Sequence, residues 1–181
     1  MAYTAVQKRK MEQRLKAVYN ECIEEMNVLD VPFGKITEVT VNYRAKSRWG
    51  QCKKTGDIYT INISSILLED ATPDKGLKET IIHEIIHTCP KCMCHTGEWK
   101  RWVDLVNDCY GYAIKRTNSA ADKGVDEDAY LERRTAGVKI KYRFRCDKCG
   151  AEINRARESR FTRHYEMYRC AKCHGRISRV A

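Results

Sequence analysis

The chain has no long apolar run. Nowhere in its 181 residues does a hydrophobic stretch approach the roughly eighteen residues that a membrane span needs. The opening stretch MAYTAVQKRKMEQRL lacks the apolar core of a secretory signal. A soluble, cytoplasmic protein with no membrane partner is therefore expected. No internal repeat stands out beyond a pair of short cysteine motifs near the C-terminus. Histidine is scarce as well, at five. Cysteine is not: ten in a compartment expected to be reducing point to metal binding rather than to disulfides. Hydrophobic content of 43% is enough for a core and excludes wholesale disorder.

The net charge of +10 is unevenly placed. Residues 133–181 hold 15 Lys and Arg against 4 Asp and Glu, a balance of +11; residues 1–132 hold 19 against 20, a balance of −1. Such asymmetry predicts two units with different partners, the second of them polyanionic; a solubilising basic tail is the alternative.

Periodicity supports the division. Val6, Met11, Leu15, Val18, Cys22, Met26 and Leu29 recur as on one face of a long helix, which Pro32 and Gly34 end. Val39, Val41 and Tyr43 alternate with polar residues, as do Tyr59, Ile61 and Ile63 after the turn-like KKTGD, and the two runs predict a small antiparallel sheet. Thr72-Pro73 predicts a helix start, with Pro in the first helical position and an end near Pro90. A further helix is expected from Gly97 to about Tyr112, with Trp99, Trp102, Val103 and Val106 on one side. TNSAADKGVDED (117–128) is small, polar and acidic and reads as a linker. The expected division is a catalytic domain over 1–116, a linker over 117–135 and a basic four-cysteine unit over 136–181.

HEIIHTCPKCMCH (83–95) gathers three of the five histidines and three of the ten cysteines. Residues four apart share a helix face, so His83 and His87 can offer two imidazole nitrogens to one zinc ion. Glu84 adjoins the first, where a carboxylate can take the proton of a metal-activated water for attack on a carbonyl. Two satisfied histidines on a buried helix are the alternative, and Ile81, Ile82, Ile85 and Ile86 do indicate burial. Such a core helix leaves the two histidines and the glutamate without an explanation.

A catalytic zinc usually takes three protein ligands and keeps one position open. His95, beyond a Pro-containing loop that can fold the chain back, ranks first as the third ligand. Cys94 follows, since neutral imidazoles suit water activation better than charge-donating thiolates, and Asp104 and Asp108 come last. Cys89, Cys92, Cys94 and Cys109 could form an accessory metal site, with buried free thiols as the alternative; Cys22 and Cys52 read as such thiols. Trp49 either walls the cleft or belongs to the core.

SRWGQCKKTGDIYTINIS followed by ETIIHEIIHTCPKCMCHTGEWKRW resembles the SprT-like family of zincin metalloproteases. RWGQC is similar to that family's R-W-G-S-C strand motif, with Gln51 where Ser is usual. HEIIH matches its zinc helix, and HTGEW resembles the H-G-x-x-W segment that supplies the third histidine, with Thr96 between His95 and Gly97. The resemblance covers residues 5–115 and the cysteine-rich tail. It implies a zincin fold with a catalytic zinc on His83, His87 and His95 and Glu84 as the catalytic residue. The eukaryotic relatives degrade proteins crosslinked to DNA.

In the tail, CDKC (146–149) and CAKC (170–173) are two C-x2-C knuckles separated by twenty residues. Cys146, Cys149, Cys170 and Cys173 can close a tetrahedral structural zinc site with no open position. KIKYRFR, YEMYR and GRISRV alternate as short strands, which fits a zinc ribbon, and so small a unit needs the metal for folding energy. His174, next to Cys173, reads as a bystander. Arg155, Arg157, Arg160 and Arg163 interleave with Tyr142, Phe161, Tyr165 and Tyr168. The cations can contact phosphates; the aromatics either stack on bases or form the ribbon's small core.

The fold expected is α+β: a zincin-like domain with a long N-terminal helix, a small sheet and a zinc-binding helix, followed by a zinc ribbon. The function expected is that of a zinc-dependent endopeptidase with one catalytic and one structural zinc. Its substrates would be proteins associated with or crosslinked to nucleic acid, DNA favoured. The strand DIYTINIS could pair with an extended substrate, as edge strands do. A non-enzymatic nucleic-acid-binding zinc protein, or a peptidase with no nucleic-acid role, are the alternatives.

Overall fold

A capping box starts the first helix, α1 (Ala5–Val28): Thr4 Oγ1 accepts the N–H of Gln7, and the Gln7 side chain accepts the N–H of Thr4 in return. The computed structural model describes residues 3–180 and forms two compact units, Met1–Arg134 and Thr135–Ala181. Met11, Leu15, Val18, Cys22 and Met26 are the buried stripe of α1, as their spacing predicts, whereas Val6 lies outside it at 78% exposure.

Three strands follow, β1 (Lys35–Asn42), β2 (Gly50–Thr55) and β3 (Ile58–Ser64), in the spatial order β1-β3-β2. The two alternating runs of the sequence are neighbours but pair in parallel, with Val39 opposite Ile61 and Val41 opposite Ile63. The antiparallel partner of β3 is β2, reached through a tight turn in which Gly56 has φ +60°. So short a turn leaves an antiparallel hairpin as the simple solution for β2 and β3, and β1 takes the remaining edge of β3. IYTINIS is thus the central strand and has no free edge for a substrate; among these strands β2 presents the edge nearest the helix that follows.

That helix, α2 (Asp74–Ile86), begins with Pro73 in the cap position rather than inside the first turn. Leu77, Ile81, Ile82, Ile85 and Ile86 are all fully buried. Gly76, Glu79, Thr80 and Glu84 are buried as well, so the helix is enclosed by its domain on nearly every side. Each buried isoleucine contributes on the order of 1.5–3 kcal/mol, so the backbone carrying His83 and His87 is held firmly. Helix α3 (Glu98–Tyr110) buries Trp99, Val103 and Val106 and ends at Gly111, whose φ of +68° suits a left-handed cap.

Residues 117–134 do not behave as a linker. They belong to the first compact unit and end in helix α4 (Glu127–Thr135). Their polar composition conceals two anchors, since Ala120 and Lys123 are both buried. Tyr130 of α4 stacks on Trp49 with ring centroids 4.7 Å apart.

The second unit, taken by itself, is a three-stranded sheet in the order β5-β4-β6, built from β4 (Tyr142–Cys146), β5 (Glu152–Arg155) and β6 (Ile177–Arg179), with a short helix α5 (Arg160–Arg163) after β5. YEMYR is not a strand: Tyr165–Met167 make a 3-10 turn that brings Tyr165 against Phe144. Phe144 also meets Phe161, which meets Tyr168, so these rings form the small core of a unit that fits a zinc ribbon.

Candidate metal centre and cleft

His83 and His87 project from one face of α2. The chain then turns back through residues 88–92, with the carbonyls of Ile85, Ile86 and Cys89 accepting the N–H groups of Thr88, Cys89 and Cys92. Thr88 Oγ1 ties this turn to the start of β1 by accepting the Gly34 N–H at 2.9 Å. The reversal delivers His95 just before Gly97, whose φ of +55° opens α3. The three Nε2 atoms converge: His83 to His95 is 3.0 Å, His87 to His95 3.1 Å and His83 to His87 3.2 Å.

The donor chemistry fits a metal ion. His87 Nδ1 lies 2.8 Å from the Cys92 carbonyl, which can only accept, so the proton sits on Nδ1 and the Nε2 lone pair points to the centre. Burial, then the charges of His87 and His95, push His83 down to about 3; burial also lowers His87 and His95. All three rings are therefore neutral at neutral pH. A tetrahedral zinc with Zn–N bonds of about 2.0–2.1 Å separates its nitrogens by about 3.3 Å, close to the spacing found here. Trp99, 3% exposed, floors the cluster with its ring centroid 4.7 Å from His95 and 4.9 Å from His83. Its Nε1 is buried without a hydrogen-bond partner among the described residues.

Glu84 lies in the same cleft, 6% exposed, and burial raises its pKa to about 7 against a backbone hydrogen bond from Cys52 and the Arg48 charge. The cleft, of about 720 Å³, runs from the Arg48–Cys52 stretch past the histidines to the 116–120 segment and α4. Trp49 is one of its walls, and its Nε1 donates to the Asn118 carbonyl at 3.2 Å.

Cys94 is exposed, and neither it nor Asp104 nor Asp108 joins the histidine cluster. Cys89, Cys92, Cys94 and Cys109 do not assemble into a group of potential metal ligands among the described residues. Cys89 and Cys92 are buried thiols, with Cys89 raised to about 12 chiefly by burial. The cleft residues that composition could not supply are Tyr130, Leu131 and Arg134 of α4, and Lys123 before it. The only trace of them is an apolar pair, Tyr130-Leu131, inside a charged run.

In the second unit, the sulfurs of Cys146, Cys149, Cys170 and Cys173 all lie within 4.8 Å of one another. Cys146 and Cys173 are 3.4 Å apart and Cys149 and Cys170 3.7 Å, near the roughly 3.8 Å edge of a tetrahedron with bonds of about 2.3 Å. The backbone N–H groups of Cys149 and Lys148 pull the Cys146 thiol down to about 6, while the hydrogen bond with Cys149 pushes Cys173 up to about 12. Crowded thiols that cannot all ionise together are what a cation resolves. Gly175 leaves the room: a Cβ there would stand 2.8 Å from Cys146 Sγ. The two knuckles match each other. Gly150 and His174 each follow the second cysteine with positive φ, +71° and +56°, and donate their N–H to the first cysteine's carbonyl. His174 serves the turn and is not one of the clustered ligands. Arg155, Arg157, Arg160 and Arg163 are exposed; Arg155 lies over Phe161 and Arg163 meets Glu158 at 3.5 Å.

The sequence model of the SprT-like family matches residues 14–120, more than half of the chain. The chain belongs to the SprT-like family. Membership brings a zincin-type domain and points to a metalloprotease-type function, with the matched span containing the three histidines and Glu84. No curated protein matches the chain. Among the described residues no helix is long and apolar enough to cross a membrane.

Proposed function

We propose that the chain is a zinc-dependent endopeptidase acting on proteins associated with, or crosslinked to, nucleic acid. One observation carries the peptidase reading: the buried Glu84 carboxyl shares a cleft with three imidazoles whose Nε2 atoms converge. His83, His87 and His95 would hold the catalytic ion, and the four ribbon cysteines a structural one. Bound zinc would supply Lewis acidity and lower the pKa of a water molecule. Glu84 supplies the proton traffic: as a carboxylate it accepts a proton during attack on the scissile carbonyl, and as an acid it returns that proton to the departing amine. The outward edge of β2 lines the cleft and offers an extended peptide a strand to pair with.

The nucleic-acid part of the reading rests on the basic excess of the ribbon, through Arg155, Arg157, Arg160 and Arg163, with DNA favoured. Phosphate contact is its main means, because Phe144, Phe161, Tyr165 and Tyr168 are engaged with one another. The same ring cluster favours a second reading, a peptidase whose ribbon only stabilises the fold. Incubation with a covalent DNA–protein adduct separates the two. Chelator-sensitive cleavage of the adduct in preference to the free protein supports the first reading. Equal, chelator-sensitive cleavage of both supports the second, and no cleavage of either removes the peptidase.

A further inference from the structure

Gly50 opens β2, and its backbone does not explain why it is glycine. Six glycines have positive φ, and Gly50 is not among them. Space explains it. A Cβ built on Gly50 would stand 2.6 Å from Glu84 Oε1 and 2.8 Å from Glu84 Cγ. Real Cβ atoms do not approach so closely, so the Glu84 side chain is pressed flat against the strand at the one position that has no side chain of its own.

Two residues further on, the strand holds Glu84 a second way. The Cys52 N–H faces its carboxylate and favours the charged form. That N–H is free to do so because of the strand register. Ser64 N–H bonds the Trp49 carbonyl at 2.8 Å, which makes 49 and 64 a hydrogen-bonded pair. Hydrogen-bonded and non-bonded pairs alternate along an antiparallel ladder. Gln51 opposite Asn62 and Lys53 opposite Thr60 are then bonded pairs, whereas Gly50 and Cys52 turn their backbone groups outward, toward Glu84.

We propose that β2 positions Glu84 for its reaction, with Gly50 supplying the gap and the Cys52 N–H the hydrogen bond, so that both are positioning residues. The inference rests on the peptidase reading, and it assigns β2 a task besides pairing with substrate. Glu84 on α2 is carried by one element and aimed by another, and the geometry survives only while β2 stays in register on β3. A methyl group at residue 50 displaces the carboxylate rather than the strand, because β2 is laddered to β3 and the Glu84 side chain is the part that can rotate.

The test uses the full chain, wild type, Gly50→Ala and Cys52→Pro. Proline removes only an outward N–H, which an edge strand tolerates. Three quantities are read: zinc per chain, hydrogen exchange of the Cys52 amide in metal-free protein, and kcat and KM on an unfolded protein substrate. Zinc content should be equal in all three proteins. The Cys52 amide should exchange slowly in wild type and fast in Gly50→Ala, while the ladder amide of Gln51 stays protected in both. In each variant kcat should fall on the order of 10²-fold, with KM unchanged in Gly50→Ala, the loss expected when a reacting group is misplaced by about 1 Å. A Gly50→Ala protein with wild-type kcat, or with a Cys52 amide as protected as before, overturns the proposal. So does loss of zinc or of fold in both variants, which would make β2 merely structural. An inactive zinc-loaded wild type would instead remove the peptidase reading, and amide exchange would still decide whether β2 holds Glu84.

Discussion

Lys123 Nζ donates to Glu79 Oε2 across 3.1 Å, with both side chains at 3% exposure or less. Glu79 Oε1 accepts the N–H of Ala113 at 2.9 Å, and the Lys123 carbonyl lies against Gly76 where a Cβ would not fit. The segment from 113 to 123 is thereby fastened to α2 one turn before His83. It is this fastening that makes residues 116–120 a wall of the cleft. Burial lowers the pKa of Lys123 against the opposing pull of Glu79.

Breaking one half of a buried pair leaves an uncompensated charge, which costs about 3–5 kcal/mol. Lys123→Met should therefore destabilise the protein by that order, and Glu79→Gln with Lys123→Met should be much milder than the sum of the two single changes. Denaturant unfolding of the four proteins in a double-mutant cycle gives the coupling. Additive effects would mean that the two groups do not depend on each other.

The two ligand clusters predict two zinc ions per chain. A chelator should remove the ion held by the three histidines first, because a three-ligand site with an open position exchanges more readily than a closed thiolate site. Cys146→Ser should lose the other ion and, with it, the fold of the ribbon. Metal analysis during chelator titration reads both steps; a stoichiometry of one contradicts the pairing of sites.

Glu84→Gln should keep its zinc and its stability while proteolysis falls by roughly 10²-fold or more, since the proton acceptor is gone. His95→Ala should lose the metal itself. If His95→Ala keeps full occupancy while Cys94→Ala or Asp104→Ala empties the site, the third ligand has been misassigned.

Much of this was legible in the chain because the signals are local. His83 and His87 sit four apart on a helix, and the C-x2-C pairs declare themselves by spacing. The long stripe from Met11 to Met26 follows the helical period. What the sequence hid depends on pairing at a distance. Nothing in IYTINIS says whether its neighbour Lys35–Asn42 runs parallel, and nothing in RWGQC says that its glycine makes room for Glu84. Lys123 was the least visible. A lysine inside TNSAADKGVDED reads as solvated until the glutamate that receives it is known.

His174 holds a left-handed backbone conformation that its counterpart Gly150 adopts without strain. His174→Gly should therefore stabilise the zinc-loaded ribbon, by up to about 1 kcal/mol after the entropy that glycine adds to the unfolded chain. Thermal unfolding of the metal-loaded protein measures it. A large loss of stability or of zinc would show instead that the imidazole contributes to the site.

The final prediction concerns the basic excess of the ribbon. Lysines and arginines that neutralise phosphates release counterions, so affinity for nucleic acid should fall steeply as salt rises, with a slope of log K against log salt of about 0.9 per phosphate contact on duplex DNA. Replacing Arg155, Arg157, Arg160 and Arg163 by Ala in the full chain should weaken binding and flatten that slope by up to about 3–4, while the four cysteines keep their zinc. Little sequence preference is expected, since phosphate-directed arginines carry no base readout and the ribbon's rings are packed on one another. The four substitutions leave the ring cluster in place, although Arg155 loses its position over Phe161, so zinc content and thermal stability of the variant are measured beside the titrations. A variant whose slope equals that of wild type would show that these arginines do not meet phosphate. Wild-type binding that ignores salt would leave the ribbon as a stabiliser of a plain peptidase.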